Sequence, residues 1–478
     1  MIVLGAIMAQ LSRTLSNQTV EKIGSGVKLQ GWIDTIRDHG KLKFVDLRDR
    51  SGKVQCVIPS GLETAQKISV EDVVEFVGVV KRRPDGMTNL EVKTGAVEVS
   101  VEECIVLNKT NPLPIPIVSD GYEVNEESRL EYRYLDLRRE RMQKNLRLRS
   151  DFTKFFRQAF YSRDFVEIET PLLTKSTKEG ARDFIVPSRY YPGKFFALPQ
   201  SPQQYKQLLM TAGFERYFQI AKCIRDEDPR ADRGYEFTQV DVEMSFAGRG
   251  EVMSTVEGVV KEAVKGVSGK LKDASFPVVT YREAIEKFGA DKFDLRTEKE
   301  KKENVLAFAW VVDFPFFKKV NTKDAAEVLD GKSGWTFTHN PFSMPKEEYL
   351  EDHLAGVNVG GILTTQYDLV CNGYEVGGGS IRAHRPEILR ATFSIMGYSQ
   401  EEIEQNVGHM LTAFQLGTPP HGGIAFGLDR LVVLLAGESS LKEVIAFPMT
   451  STGRTSVMDA PSGVDEKLLK ELGIRFKA

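Results

Sequence analysis

The chain of 478 residues is poor in the residue types that most often announce a chemistry. It has 4 cysteines, and Cys56, Cys104, Cys223 and Cys371 lie far apart with no CxxC among them. That excludes a disulfide framework and a thiolate zinc site, and it suits a reducing compartment, hence the cytoplasm. Histidine is scarce too, with 6 residues and no cluster. No stretch approaches the roughly 20 apolar residues that a membrane-spanning helix needs. The start, "MIVLGAIMAQLSRTL", is mildly apolar, but no basic residues precede a run that is short for a secretion signal. Export is therefore not expected, and Met8 is an alternative first residue. A formal net charge of −3 excludes nucleic-acid binding by bulk charge and leaves a local basic patch open. Phosphate-binding loops are missing as well. "GKS" occurs at 331–333, but Ala326 stands where GxxxxGKS requires glycine. No GxGxxG follows a strand, and no GxSxG elbow is present. A chain that handles phosphate without these devices must use side chains and a metal.

What is present is ordinary in bulk, with 41% hydrophobic and 27% charged residues. At this length two or three domains are expected, with enough chain to bury a large core. Residues 27–104 break into short β-prone runs, "VKLQGWIDTI", "LKFVDLRD", "VQCVIP", "VVEFVGVVKR" and "AVEVSVEEC", separated by glycine and polar turns. Such a set suits a small closed barrel of OB type, with a generic barrel or half of a sandwich as the alternative. "NKTNPLPIPIVSDG" follows, and its three prolines stiffen a connector and forbid helix. The expected division is a barrel at 1–108, a linker at 109–128 and a larger domain at 129–478.

Between Ser128 and Arg149, basic residues outnumber acids eight to three. The segment reads as a helix with either a solvated basic face or a contact to an RNA backbone. Beyond it, "DFVEIETPLL" reads as a strand stopped by Pro171, and "QQYKQLLMTAG" as a helix ended by Gly213. Strands come in adjacent pairs, as in 217–225 with 236–246, which favours an antiparallel sheet over βαβ winding and an α+β class.

The pair encloses "RDEDPRADRGYE", a loop dense in charge, and the second strand alternates. Val240, Val242 and Met244 fall on one face and Gln239, Asp241 and Glu243 on the other. Arg225 closes the first strand, where its guanidinium can fork onto a phosphate or carboxylate. Phe237 offers a flat ring for stacking. "YEVGGGSIR" brings Glu375, three glycines and Arg382, and "GLDR" sets Arg430 at a helix start. A carboxylate facing phosphates makes sense as a Mg²⁺ ligand. Each feature alone is also explained by a surface ion pair or a turn; their conjunction is not.

The stretches "TPLLTKSTKEGARDFIVPSR", "FFALPQSPQQYKQLLM", "FQIAKCIRDEDPRADRGYEFTQVDVEMSF", "YEVGGGSIR" and "PPHGGIAFGLDRLVVLL" carry a resemblance. The chain, from about Gly31 to its end, resembles class II aminoacyl-tRNA synthetases, and within them the bacterial type of aspartyl-tRNA synthetase. The resemblance implies an N-terminal OB-fold that binds the anticodon and an antiparallel catalytic sheet flanked by helices. It implies a homodimer joined partly through the strand before Pro171. It also implies a two-step reaction with ATP and Mg²⁺ and no zinc, in which aspartate becomes an adenylate and is then moved to the terminal ribose of tRNA.

Residue by residue, the resemblance implies that Arg225 bridges the α-phosphate and the aspartate carboxylate. Asp226, Glu227, Gly427, Leu428 and Asp429 would lie near ATP, Phe237 and Arg430 would sandwich adenine, and Glu375 would hold Mg²⁺. Glu179, Ser201, Gln203, Lys206, Asp241, His339 and Arg382 would form the aspartate pocket. Charge supports two of these independently, since an acidic substrate needs cations such as Lys206 and Arg382. In the barrel, Arg37, Phe44, Gln55, Lys81 and Glu98 match anticodon-contacting positions, and stacking on such a surface contributes roughly 1–3 kcal/mol per base. A barrel-core position is the alternative for Phe44. His39 and Gly86 match members that charge both tRNA(Asp) and tRNA(Asn).

Three departures accompany the resemblance. The large insertion that bacterial members carry between the two catalytic motifs is reduced to about 296–309. Asn340 replaces the second histidine of "HHPF", and Gly234 stands where many members have glutamine. Three rival readings stay open: an enzyme that charges tRNA(Asp) only, a tRNA-independent asparagine-forming ligase, and a non-catalytic RNA-binding protein on a synthetase scaffold.

Overall fold

The structure is a computed structural model, and it describes residues 11–177, 179–228, 233–323, 327–328 and 331–475. The question of Met8 and the positions Arg230, Asp232 and Ala326 lie outside the described residues. The chain separates into two units, Met1–Pro114 and Ile115–Ala478.

In the first unit, β1 (Gly26–Asp38), β2 (Leu42–Asp49), β3 (Gly52–Pro59), β4 (Val73–Arg82) and β5 (Val97–Asn108) close a barrel in the order β1-β2-β3-β5-β4. Alternation builds it: Val45 and Leu47 of β2 and Val54, Cys56 and Ile58 of β3 point inward. Their neighbours point out, and Phe44 is therefore on the outer surface rather than in the core. Two crossings are so close that only glycine fits. A Cβ at Gly31 would stand 2.3 Å from the Arg48 carbonyl oxygen, and one at Gly78 would stand 2.2 Å from that of Ser100. The barrel is of the OB type expected from the five runs.

The second unit carries β6 (Val166–Glu167), β7 (Ile185–Pro187), β8 (Phe195–Ala197), β9 (Arg216–Ile224), β10 (Glu236–Ser245), β11 (Val278–Thr280), β12 (Phe308–Val312), β13 (Phe317–Lys319), β14 (Trp335–Phe337), β15 (Tyr367–Cys371), β16 (Tyr374–Ile381) and β17 (His421–Gly427). Eight of them form one sheet in the order β11-β12-β15-β16-β17-β10-β9-β6. The interior pairings are antiparallel, as the adjacent strand pairs predict, while β11–β12 and β6–β9 at the two edges are parallel. The helices Glu140–Tyr161, Arg249–Gly266 and Leu428–Ala436 bury Phe152, Phe156, Val256, Val260 and Leu431 in one core with Val240, Val242 and Phe426 of the sheet. The architecture is α+β.

Two expectations need correction. The strand read at "DFVEIETPLL" is regular only over Val166–Glu167, and Leu172 and Leu173 beyond it are exposed. The basic segment is neither a solvated face nor an RNA contact over most of its length. Arg129, Arg133 and Arg139 are buried and converge on Asp136 at 3.0, 2.6 and 2.8 Å. Arg129 also reaches Glu443 at 2.7 Å, and Arg141 pairs with Glu438 and Glu443. Burial alone would raise the Asp136 carboxyl; hydrogen bonds from Arg129 and Arg139 overturn that and hold it low. Arg129, Arg133, Arg141 and Arg149 are therefore spent on residues 429–446 and Arg139 on Asp136, while Lys144 and Arg147 stay exposed. Among the described residues, no helix is long and apolar enough to cross a membrane.

Candidate active site

The alternation that makes β10 a strand also makes its polar face. Asp241 and Glu243 are buried side by side, and two cations from elsewhere in the chain meet them. Lys206, from the helix Gln203–Thr211, sets its Nζ 2.6 Å from Asp241 Oδ1 and 3.1 Å from Glu243 Oε2. Arg382, just past β16, forks onto Glu243 with Nε 2.9 Å from Oε1 and Nη2 3.2 Å from Oε2. Its Nη1 donates to Ser380 Oγ at 2.9 Å, and its Nη2 also donates to the Gly423 carbonyl. The result is a lattice of two cations and two carboxylates, all buried. Burial pushes both carboxyls up; Arg382 and Lys206 reverse this at Glu243, while at Asp241 burial prevails over Lys206. Among the described residues, Asp241 Oδ2 meets no donor in hydrogen-bonding geometry. An unpaired buried carboxylate oxygen is costly unless something fills its place.

Around this lattice, Ser201 Oγ donates to Glu179 Oε2 at 2.6 Å, and the two border a recess of about 390 Å³. Burial raises the Glu179 carboxyl against the pull of Ser201 and Arg225. Gln203 spends its amide on Gln207. His421 meets Gln207 at 3.0 Å, and burial lowers its imidazole to about 4, so it is neutral at physiological pH.

Arg225 follows β9, with its guanidinium 5.0 Å from the centre of the Phe237 ring and its Nε donating to the Gln200 carbonyl at 3.4 Å. The register Gln239↔Gly427 sets Phe237, two residues along β10, beside the start of the helix Leu428–Ala436 that bears Arg430. Arg430 donates to the Glu375 carbonyl oxygen. Asp429 accepts from the Thr238 backbone N–H at 2.7 Å and pairs with Arg149 at 2.5 Å, so its carboxylate braces β10. The Leu428 side chain belongs to the core, which leaves Gly427 and Leu428 only their backbone for a ligand. Asp226 faces Arg182 at 3.4 Å and Glu227 faces Arg233 at 2.8 Å, across the charged loop. A cleft of about 640 Å³ opens by the hairpin, lined in part by Lys222, Arg233, Phe237 and Asp429.

Glu375 has a companion that sequence reading missed. Asp368 of β15 stands opposite Gly378. A Cβ on Gly378 would lie 3.1 Å from Asp368 Oδ1, 3.4 Å from Gln366 Nε2 and 3.5 Å from Glu375 Oε1, so the two carboxylates converge over this glycine and a Cβ there would crowd Asp368. Burial, and then the Glu375 charge, raise the Asp368 carboxyl. Burial works the same way at Glu375, but Lys292, supported by His339, holds it low. His339 Nδ1 lies 3.7 Å from Asp368 Oδ2, and burial lowers its imidazole. The one signal for Asp368 is an acid inside the apolar run "YDLVC". Asn340 closes the turn after His339, its Oδ1 accepting from the Phe342 N–H at 3.0 Å. Gly234 contacts little, with only the Glu236 carbonyl oxygen near a notional Cβ.

On the outer face of the barrel, Thr35 of β1, Asp46 of β2, Gln55 of β3, Glu98 of β5 and Lys81 of β4 stand in one register row, and Arg37 and Phe44 face each other in the neighbouring row. Arg37 pairs with Asp46 at 3.2 Å and donates to Gln55, and Gln55 donates to Glu98 at 2.9 Å. His39 stands edge-on to Phe44 with ring centres 5.4 Å apart. Gly86 lies in an exposed turn after β4 with φ +80°. The five predicted barrel residues thus share a single surface, with His39 at its end.

Comparison with known proteins adds to this geometry. Residues 27–107 match the family described as OB-fold nucleic acid binding domain, and residues 125–451 match tRNA synthetases class II (D, K and N). An aspartate–tRNA(Asp/Asn) ligase of Thermotoga neapolitana is 39% identical over 98% of this chain and 99% of its own. One of Corynebacterium aurimucosum is 39% identical over 96% and 95%. The Thermotoga alignment spans 591 positions, more than the 478 residues here, so that relative carries residues this chain lacks. The asparaginyl-tRNA synthetase of Pyrococcus horikoshii, solved with asparaginyl-adenylate, shares the fold with a TM-score of 0.73 at 21% identity, over 92% of this chain and 99% of its own. With a nucleic-acid-binding barrel, a sheet carrying a buried charge lattice and a family match over most of its length, this chain belongs to the class II tRNA synthetases of the D, K and N group.

Proposed function

We propose that this protein aspartylates tRNA in two ATP-dependent steps, and that it accepts both tRNA(Asp) and tRNA(Asn). The observation that carries the reading is the lattice Lys206–Asp241–Glu243–Arg382, two fixed cations beside one unpartnered carboxylate oxygen. Such a site fits a zwitterion with an acidic side chain. Lys206 and Arg382 face the side-chain carboxylate, and Asp241 Oδ2 accepts from the α-ammonium. Relatives that match along nearly the whole chain are named for aspartate and for both tRNAs.

In the first step an oxygen of the aspartate α-carboxylate attacks the α-phosphorus of ATP and pyrophosphate leaves. In the second a terminal ribose hydroxyl of tRNA attacks the adenylate carbonyl and AMP leaves. Catalysis here is positioning plus charge stabilisation. Arg225 sits where one guanidinium can hold both the attacking carboxylate and the α-phosphate. Phe237 and Arg430 flank the place of the adenine, with Asp226, Glu227 and the backbone at Gly427 and Leu428 around it. Glu179, Ser201, Gln203 and His339 complete the wall of the amino-acid pocket. The carboxylates Glu375 and Asp368, convergent over Gly378, fit Mg²⁺, which would neutralise phosphate charge when bound. No zinc is needed for either step.

The barrel face of Arg37, Phe44, Gln55, Lys81 and Glu98 receives the anticodon, Phe44 by stacking. Two copies join along the edge strand β6, where Val166, Leu172 and Leu173 are exposed apolar residues. The protein works in the cytoplasm, consistent with four free, buried cysteines.

The test is charging of separate transcripts. The two anticodons differ only in their third base, and His39 and Gly86 leave its surroundings permissive. His39 can donate or accept, and Gly86 offers no side-chain contact. Both transcripts should be aspartylated within roughly tenfold, a gap of about 1.4 kcal/mol. His39→Leu with Gly86→Lys should widen it. A preference of a hundredfold or more for tRNA(Asp) in the unmodified protein would remove the dual specificity and leave an enzyme for tRNA(Asp) alone.

A further inference from the structure

The residues that follow the helix Tyr281–Phe288 are held firmly in place. Phe293 turns inward and packs with Ala284, Ala309, Val311, Phe314 and Val370. Its ring stacks on Phe288 with centres 4.2 Å apart, and its carbonyl accepts from the Gly373 N–H at 3.0 Å. Lys272 holds the Leu295 carbonyl at 2.9 Å. The backbone at this point is therefore pinned to the turn that joins β15 to β16. The residue before the pin is Lys292. Its Nζ lies 2.9 Å from Glu375 Oε2, a charge-assisted hydrogen bond, and its side chain is 46% exposed, so solvent reaches the pair.

The cation thus occupies one of the two carboxylates assigned above to Mg²⁺. We propose that Lys292 is the resting counter-cation of the nucleotide–metal site: it satisfies Glu375 while the site waits, keeps a bare divalent ion out, and yields the carboxylates when the metal arrives with the triphosphate. The physical argument is competition for one charge. An ammonium on Glu375 offsets the charge of that carboxylate, so a metal ion alone gains little there. A metal ion that brings a polyanion gives the displaced ammonium a new partner in the outer phosphates, and the exchange becomes favourable. Lys292 is on this account a positioning residue, and it makes metal entry depend on the nucleotide.

This inference rests on the reading of the site as an ATP site, and the experiment separates the two. Mn²⁺ binding to the intact protein without nucleotide is read by electron paramagnetic resonance, for the unmodified chain and for Lys292→Met and Lys292→Gln. Each variant should bind Mn²⁺ at least tenfold more tightly than the unmodified protein. In aspartate-dependent pyrophosphate exchange, each should raise the KM for ATP at least tenfold while the KM for aspartate stays within twofold. If one variant does not fold, the other decides. Unchanged Mn²⁺ affinity in a folded variant overturns the role of Lys292, as does an unchanged KM for ATP. Absence of exchange by the unmodified protein would instead overturn the ATP site itself.

Discussion

The barrel face and the catalytic pocket are built from the same residue types and use them in opposite ways. On the barrel, Arg37, Asp46, Gln55 and Glu98 form a set in contact with water, and each pair there is worth at most about 1 kcal/mol. In the pocket, Lys206, Asp241, Glu243 and Arg382 form a closed set out of water. Removing one member of such a set strands a buried charge at a cost of about 3–5 kcal/mol. The difference suits the ligands proposed for each. A surface that can exchange its polar contacts for bases at little cost suits a polynucleotide, whereas groups that cannot move suit a small zwitterion.

The comparison breaks most sharply at Arg382. Arg382→Leu leaves Glu243 without its fork, so denaturant unfolding of the variant should show a loss of about 3–5 kcal/mol. It should also raise the KM for aspartate and shrink the preference over asparagine, because the two substrates share a shape and differ in charge. A variant as stable as the parent would place the lattice among surface-like pairs. A variant with full selectivity would transfer the choice to Lys206.

Arg225 sharpens the comparison from inside the same unit. It is only partly buried and makes one long backbone contact and one stacking contact, on Gln200 and Phe237. Arg225→Ala should leave the melting temperature unchanged and slow pyrophosphate exchange by two to three orders, about 3–4 kcal/mol of transition-state stabilisation. Exchange within tenfold of the parent would exclude it from the phosphate.

Phe44 is the smallest of the three. Phe44→Ala should weaken tRNA binding by about 1–3 kcal/mol per lost stack and leave adenylate formation untouched. An equal loss in both assays would make Phe44 a folding residue after all.

Much of this was legible before the structure. Five alternating runs predict the barrel, and the alternation of Val240, Val242 and Met244 places Asp241 and Glu243 together on the other face of β10. The inward Val45 and Leu47 then decide what spacing alone left open for Phe44. What was not legible depends on partners distant in sequence. The arginines after Ser128 look like a solvated stripe until Glu438 and Glu443, some three hundred residues later, fold onto them. Lys292 carries no local pattern, and Asp368 only that of an acid within an apolar run, since each gains its meaning from Glu375 across a strand pair or a crossover. The short β6 was overread because an apolar run at an exposed edge has no second neighbour to keep it regular.

The parallel pairing of β11 with β12 has a consequence for how such a chain can grow. Parallel neighbours oblige the polypeptide to cross over from one end of the sheet to the other, so a connection such as 281–307 has to exist whatever its content. Its two attachment points are secured locally. Thr280 caps the helix Tyr281–Phe288 with Glu283, and Asn304 donates to the carbonyls of Leu434 and Leu435 at 3.2 and 3.1 Å. Between them Thr297 and Glu300 close a capping box on a single exposed turn of helix. Lengthening a loop costs only about 0.6 kcal/mol per doubling. A self-folding module with adjacent ends, spliced into that turn, therefore leaves the register Val278↔Trp310 as it is. The crossover is a socket: modules can be gained or lost there while the sheet beneath keeps its shape.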